Sequence, residues 1–587
     1  MNRLLPLSAI TVFAVLIGGC TTISSSPATT ILLQLDDIST GASEKRPSIA
    51  QVSGVPVLLY STKDDRLAFN KGEQRQLIDE TARVKGGNFT QLRVHDQRIY
   101  ATWWSHQDGK NIYFTTSNDK GQSFAQVSAV NDDHGVLPPF SFVEAANGIV
   151  GMIYHDERLP NFQAYFNRSN DYGRTWEHPD QRLDIPPTER RSTAVHEPQL
   201  VNTSTAWVSV WTDLVQLSGQ ATFRIVSRRS ENLGKSWAQP EVLYTSDHQI
   251  SSLIARAQGE NIVVAADDLA RGVFAVTSTD SGGSWNNIGT LSGTQGASNS
   301  GIDLTIAGGR SHLVWMQDRK DEKTRIIRGS LDVREHRWLG VAQRHNTKPY
   351  ENTRAVSPVI LATTQGLLLS AWVDYRDIRT NIYLATSSDN GESWSEPQPL
   401  LKQGEIAAGW PQLVEWGDQA AIGYEIYPSD TLANGKFVLR QLTNGAGMAS
   451  GLVGLSNPTK VNDAERQKRL NLRIKTLWEA RLKGDYDTAY DIFDFAYKAT
   501  QTKKSYVNNS GIITYRSYTL GEIAIAGTEA SVPVKISYEV KPTVLEATGR
   551  EITKPVTETD LATKWVWVDN DWFMVFSPAY DATVLKY

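Results

Sequence analysis

Over most of its length the chain alternates short apolar runs with polar stretches, and the apolar runs recur. One set reads "KRPSIAQV", "GNFTQLRV", "LPPFSFV", "HEPQLV", "QISSLI", "SGIDLTI", "VSPVILA" and "GWPQLVEW". These begin near residues 46, 88, 138, 197, 251, 302, 357 and 410, so successive differences run from 42 to 59 residues. A second set follows each start: "VPVLLYS", "IYATWW", "IVGMIYHD", "WVSVWTD", "NIVVAAD", "HLVWMQD", "LLLSAWVD" and "AAIGYEIY". Short runs rich in β-branched and aromatic residues predict strands. Several strands per unit, at this period, predict a β-propeller. Eight starts favour eight blades, with seven or six as alternatives. The early run "TTILLQLDD" is predicted to supply the outer strand of the last blade and close the ring, which removes two exposed sheet edges.

A third strand in most units leads into a repeated turn. It reads "SNDKGQSF" at Ser117, "SNDYGRTW" at Ser169, "SENLGKSW" at Ser230, "STDSGGSW" at Ser278 and "SSDNGESW" at Ser387, with a fainter "SLDVREHRW" at Ser330. In this frame Asp and Ser/Thr side chains fold back onto backbone N–H groups, Gly supplies a positive φ, and Trp plugs into apolar packing. Asp119, Asp171, Asp280 and Asp389, with Trp176, Trp237, Trp285 and Trp394, are therefore expected to be structural. A loop repeated in every unit cannot be an active site in each.

After about residue 460 the period changes. In "AERQKRLNLRIKTLWEARLKGDYDTAYDIF" the residues Leu470, Ile474, Leu477 and Trp478 fall at helical spacing, and Gly484 ends the helix. The runs "IITYRSYTLGEIAIAG", "ASVPVKISYEV" and "TKWVWVDNDWFMVF" then predict strands, giving an α+β domain in which Trp565, Trp567 and Trp572 are core.

Composition adds location. The 59 Lys+Arg against 64 Asp+Glu, net −5, with no like-charge block, exclude a general affinity for nucleic acid. "MNRLLPLSAITVFAVLIGGC" has a basic start, an apolar stretch from Leu4 to Ile17 too short for a comfortable span, and small residues before Cys20. Ile17-Gly18-Gly19-Cys20 resembles the bacterial lipobox, which implies cleavage before Cys20 and lipid on its sulfur. Cys20 is the sole cysteine, so no intramolecular disulfide forms. The expected organisation is a signal segment over 1–20, a polar tether over 21–30, a propeller over 31–455 and an α+β domain over 462–587. The expected place is the bacterial envelope, lipid-anchored, with the membrane as one partner and an acidic glycan or envelope protein as another.

Propeller geometry sorts the candidate chemistry. Loops entering strand one and leaving strand two share the face opposite the repeated turns, around the channel mouth. Strand two ends in a carboxylate in most units: Asp156, Asp213, Asp267, Asp318, Asp374 and Glu425. Arg158, Arg319 and Arg376 follow closely behind three of them, an arrangement equally suited to ion pairs between blades. The loops into strand one add Arg46, Arg191, His196, Glu197, Arg354 and Trp410. Arginine grips carboxylate or sulfate through two parallel hydrogen bonds and Trp stacks on a sugar ring. A carboxyl pair such as Glu197 and Asp374 would serve glycoside cleavage. Arg46, Arg191, Arg354, Arg158, Arg376 and Trp410 are the expected substrate-binding residues. A lyase using His196, His155 and Tyr154 is a further alternative, as is a non-catalytic binding scaffold. No metal-ligand cluster or EF-hand loop is visible, and no cofactor is expected.

The repeated turns resemble the Asp-boxes, or bacterial neuraminidase repeats, of the sialidase superfamily, over about residues 45–445. "WVDYRDIRTNIYLATSSDNGESW" is similar to a motif of its secreted members. The resemblance implies a propeller and, for an active sialidase, three arginines around the sugar carboxylate, a Tyr–Glu nucleophile pair and an acid/base Asp. Arg46 before Pro47 stands where an Arg-Ile-Pro signature would, without the Ile. Arg191 and Arg354 match by loop position, and Tyr350 beside Glu351 would be the nucleophile. The segment "LKGDYDTAYDIF" and the closing Trp-rich strand resemble the nuclear-transport-factor-like fold, which implies a curved sheet wrapped around helices.

Overall fold

The computed structural model describes residues 30–40, 45–78, 89–105, 109–132, 135–145, 147–157, 162–184, 192–217, 220–319, 324–346, 354–375, 380–401, 407–427, 435–442, 463–498, 503–511, 513–526, 529–545, 550–568 and 571–575. Cys20, Arg158, Arg191, Tyr350, Glu351 and Arg376 lie outside them.

Strand two explains the architecture. In "VGMIYHD" and "LLSAWVD", and in the neighbouring third strand "GVFAVTS" of blade 5, every residue is buried, so both faces of the central strands are covered. Antiparallel sheets of four strands, stacked face to face, provide that cover. Eight such sheets follow one another in the chain, that of blade 6 with a short fifth strand, Gln343–Arg344. Blade 1 runs from Ser48 to Leu77, blade 2 from Gln91 to Ala129, blade 3 from Val136 to Arg182 and blade 4 from Ser192 to Ser246. Blade 5 spans Ile250 to Thr290, blade 6 Ser298 to Arg344 and blade 7 Ala355 to Pro399. Blade 8 combines Ala407–Leu442 with the early strand Thr30–Leu35, in the order first, second, third, then Thr30–Leu35 outermost. The protein is an eight-bladed β-propeller followed by a smaller α+β region.

Closure is made by pairing as well as packing. Thr30 pairs with Gln441 and Leu35 with Phe437, antiparallel, so the start of the chain completes the end of the wheel. The innermost strands of blades 1 and 8 also touch. Gly423 marks the close approach there, since a Cβ would stand 2.4 Å from Ile49 Cδ1 of blade 1.

The repeated turns are the joints between blades. Asp171 accepts from Ser169 Oγ (2.8 Å), Thr175 N (2.9 Å) and Thr175 Oγ1 (2.7 Å). Asp280 repeats this with Ser278 and Ser284, Asp389 with Ser387 and Ser393, and Asp119 with Ser117 and Ser123. The hydrogen bond from the Ser393 hydroxyl, with others behind it, pulls Asp389 down to about 2. Asn232 takes the same place in blade 4, using its amide nitrogen toward Ser236. The motif's glycine abuts a central strand of the preceding blade: at Gly173 (φ +81°) a Cβ would lie 2.2 Å from Phe114. The motif's aromatic packs the same way. Phe124 meets Phe69 at 4.9 Å, Trp176 meets Phe114 at 5.3 Å and Trp237 meets Phe166 at 5.0 Å, all edge-on. Trp285 packs on the core shared by blades 4 and 5, and Trp394 lies against His345 at 4.7 Å. The fainter copy at Ser330 is a different turn, closed by Asp332 onto the N–H groups of Arg334 and Glu335.

The α+β region has its own core. Helix Asp463–Lys483 buries Leu470, Ile474, Leu477 and Trp478. Gly484 at φ +72° turns the chain out, and Asp485 caps the next helix by accepting from Thr488 N at 3.1 Å. Strands Ile513–Leu520, Glu529–Leu545, Arg550–Val568 and Asp571–Val575 pair in the order first, second, third, fourth. Trp565, Trp567 and Trp572 are buried in this core.

Candidate functional site at the channel mouth

Chain direction separates the two faces. Strand one begins, and strand two ends, on the face opposite the repeated turns. Ala355 pairs with Asp374 and Gly409 with Glu425, while Arg310, on a strand-one-to-two hairpin, reaches Glu392 of a repeated turn. The mouth face therefore carries Arg46, Glu197, Arg354, Asp374 and Trp410, as expected.

A feature unseen in the sequence recurs there. In blades 4 to 8 strand one carries an extra residue against strand two, a β-bulge, at Glu197, Ser252, Gly301, Ser357 and Trp410. All five have φ between 52° and 60°. Blade 3 has its irregularity at Pro138-Pro139, and Phe89 before blade 2 has φ 41°. With Arg46 before blade 1, these positions form one ring of unlike side chains. A bulky residue such as Trp410 in the left-handed region is strained by roughly 1–3 kcal/mol, and such strain gathers at sites of function. A bulge bends the strand and turns the residue on it away from the regular alternation.

Arg46 is the best-formed element of this ring. Its guanidinium carbon sits 4.4 Å from the centre of the Trp410 ring. Beneath it, Tyr427 donates a short hydrogen bond to Glu425, both about 1% exposed. Burial lowers the Arg46 pKa, partly offset by the charge of Glu425. Arg46 Nε is buried without a hydrogen-bond partner among the described residues. Arg46 also borders a depression of about 230 Å³ that it shares with Phe89, Gln91, Phe140 and Gln412. Tyr427 and Glu425 form a buried, hydrogen-bonded pair that sequence reasoning did not bring together. The signal was "YEIY", which puts them on one side of a strand.

The other expected residues are held by the scaffold. Glu197 accepts from the N–H groups of Ser252 (3.1 Å) and Leu253 (2.9 Å), tying blade 4 to blade 5, while burial raises its pKa. Asp374 is fully buried and accepts from Trp372 Nε1 at 3.0 Å. Arg354 is exposed, its charge 5.8 Å from the Tyr375 ring. The other strand-two carboxylates take varied partners: Asp213 takes Arg224 within its blade, Asp267 the Asn299 amide (2.9 Å) of the next blade, and Asp318 Thr324. Burial raises Asp267 to about 6. Arg319 bonds Gln317 (3.1 Å) and the Gly293 carbonyl (2.7 Å) instead of Asp318.

On the blade 3–4 side, His155 and His196 lie edge to face at 5.9 Å, with Phe162 5.5 Å from each. The two nitrogens of His155 face the carbonyls of Val195 (3.0 Å) and Pro138 (3.3 Å). Burial lowers His155 to about 4 and also lowers His196. Among the described residues no group of three or more His, Cys, Asp or Glu is placed to hold a metal, and no helix is long and apolar enough to cross a membrane.

No protein-family model matches the chain, and no curated protein matches it. Among solved structures it is similar to an ulvan lyase, at 8% identity and TM-score 0.39 over 59% of this chain and 93% of that one. It is also similar to the NanB sialidase of Streptococcus pneumoniae (9% identity, TM-score 0.31, 54% of this chain and 80% of that one). A Hadza microbial sialidase gives 12% identity and TM-score 0.32, over 70% and 96%. Likenesses this distant carry no conclusion about chemistry, and the propeller stands on its own sheet order.

Proposed function

We propose that the channel mouth recognises an acidic glycan, with Arg46 as the group that takes its carboxylate or sulfate. The observation that carries this is Arg46 itself, stacked on a strained Trp410, with a buried Nε left unpartnered at the rim of a depression. A guanidinium fixed by an aromatic face and a buried carboxylate loses little freedom on binding an anion. The described carboxylates are occupied or buried, so recognition is better supported than turnover. In a hydrolytic reading, Glu425 would accept the proton of Tyr427 as its oxygen bonds the anomeric carbon and the glycosidic bond breaks, the departing oxygen taking a proton from water. A second water would then release the sugar from Tyr427, and substrate would first have to displace Arg46 and Trp410 from above the pair.

A second reading, elimination from a uronate, is favoured by the His155–His196 pair. Burial disfavours the charged form of both, and a neutral imidazole can take a proton beside a carboxylate.

Calorimetric titration with sialylated and uronate-containing oligosaccharides tests recognition. Arg46→Ala should weaken binding roughly 10–100-fold, the loss of one charge-assisted contact. Absence of binding by the unaltered protein, or binding untouched by Arg46→Ala, sinks the proposal. Release of free sugar would assign hydrolysis, and an unsaturated uronate product would assign the lyase reading.

A further inference from the structure

Beneath the depression at Arg46 the channel wall carries charge of its own. Thr90 donates its hydroxyl hydrogen to the Arg46 carbonyl (3.2 Å), so strand one of blade 2 starts beside Arg46. Gln91 on that strand borders the depression, and Arg93 follows two residues deeper, on the same side of the strand. The Arg93 guanidinium carbon lies 4.8 Å from the centre of the Phe142 ring of blade 3. Burial lowers the Arg93 pKa, Glu144 offsets part of this, and the like charge of Arg256 on strand one of blade 5 lowers it further. Blades 2 and 5 are not neighbours, so these two guanidinium groups sense one another across the channel.

Arginines that brace this scaffold are recognisable by their bonds. Arg182 grips Asp184 through two hydrogen bonds of 2.8 and 2.7 Å, and Arg168 meets Glu177 at 2.6 Å. Arg93 differs: Glu144 stands 3.6 Å away, and the guanidinium makes no hydrogen bond among the described residues. Glu144 Oε2 is buried without a hydrogen-bond partner among them. Arg256 stands 3.7 Å from Asp303, which accepts instead from the N–H groups of Ile360 and Leu304, both at 3.0 Å. Neither channel arginine is therefore closed off by a carboxylate.

We propose that Arg93 takes a second acidic group of the glycan whose first is held by Arg46, so that the ligand is an oligosaccharide acidic on two of its sugars and enters the channel end-on. This rests on the recognition proposed for Arg46. From Thr90 to Arg93 the strand advances three residues, roughly 10 Å, a spacing that suits acidic groups on alternate sugars. The Phe142 face steadies this guanidinium as Trp410 steadies Arg46, and Arg256 adds positive field inside the channel.

Calorimetric titration of the full chain with two probes tests this. Methyl glucuronide carries one acidic group, and a hyaluronan tetrasaccharide carries one on every second sugar. The unaltered protein should bind the tetrasaccharide roughly 10-fold or more tighter than methyl glucuronide. Arg93→Gln should erase that difference and leave methyl glucuronide binding unchanged. Glu144→Gln removes the carboxylate that competes for Arg93 and should tighten the tetrasaccharide, a gain that misfolding does not produce. If Arg93→Gln leaves the tetrasaccharide unchanged or weakens both probes alike, or if Glu144→Gln loosens it, the inference is overturned while Arg46 stands. Absence of binding to either probe overturns it as well, and the Arg46 reading falls with it only if sialylated oligosaccharides also fail to bind.

Discussion

The two faces of the wheel repeat in different ways. On the back, five turns share both sequence and geometry, and their Ser, Asp (Asn in blade 4) and Gly positions make the same bonds blade after blade. On the front, blades 4 to 8 repeat a bulge while the residue on it differs: Glu197, Ser252, Gly301, Ser357, Trp410. Residues that repeat with their environment are solving the same packing problem five times. Residues that differ on a repeated backbone are free to serve single tasks, a blade-to-blade tie at Glu197 or a platform for Arg46 at Trp410.

Substituting the glycines separates the faces most strongly. Gly173→Val drives a side chain into Phe114 at a positive φ and should cost about 3 kcal/mol or more, read as a fall in the denaturant midpoint. Gly301→Ala, with the same φ sign but only the flexible Met316 tip at 3.0 Å, should cost about 1 kcal/mol. Similar losses at both would erase the distinction.

Removing side-chain hydrogen bonds is the next step down. Asp171→Ala frees three donors of one turn and should destabilise by about 2 kcal/mol without altering glycan affinity. Arg46→Ala should show the reverse, an affinity loss with a melting temperature nearly unchanged. If Asp171→Ala weakened binding as much as Arg46→Ala, the back could not be purely architectural.

The smallest expected effect is a pH dependence. Burial raises Asp267 to about 6, above the ordinary value of 3.8. Its stabilising contribution is complete below pH 3.8 and is lost as pH rises through about 6. Asp267→Asn should therefore gain about 1 kcal/mol of stability at pH 8, with the gain vanishing near pH 4. His155, lowered to about 4, acts oppositely: its contribution is present above pH 6.5 and lost as pH falls through 4. A stability profile for Asp267→Asn parallel to the unaltered protein at all pH values would contradict this.

The back of the wheel was legible because its turns are local. Ser169, Asp171, Gly173 and Thr175 satisfy one another within seven residues, so spacing alone specifies the bonds. The strand-two carboxylates looked alike in sequence, yet their partners differ: Asp213 is met by Arg224 of the next strand, Asp267 by Asn299 of the next blade and Asp374 by Trp372 of its own strand. Glu197 read as a candidate catalyst because nothing in its own loop reveals that blade 5 offers it two N–H groups.

By itself the sequence determined the repeat, the alternation of strands, the back turns and the amphipathic helix with Leu470, Ile474, Leu477 and Trp478, because each depends on contacts near in the chain or on a period; the outer strand from "TTILLQLDD" followed from the sheet edges that an open ring would leave. Only the tertiary structure decided that Arg46 meets Trp410, separated by more than three hundred residues, and that Tyr427 and Glu425 lie beneath them. That meeting exists because the ring closes, and closure is a property of eight blades packed together, with no trace in any one of them.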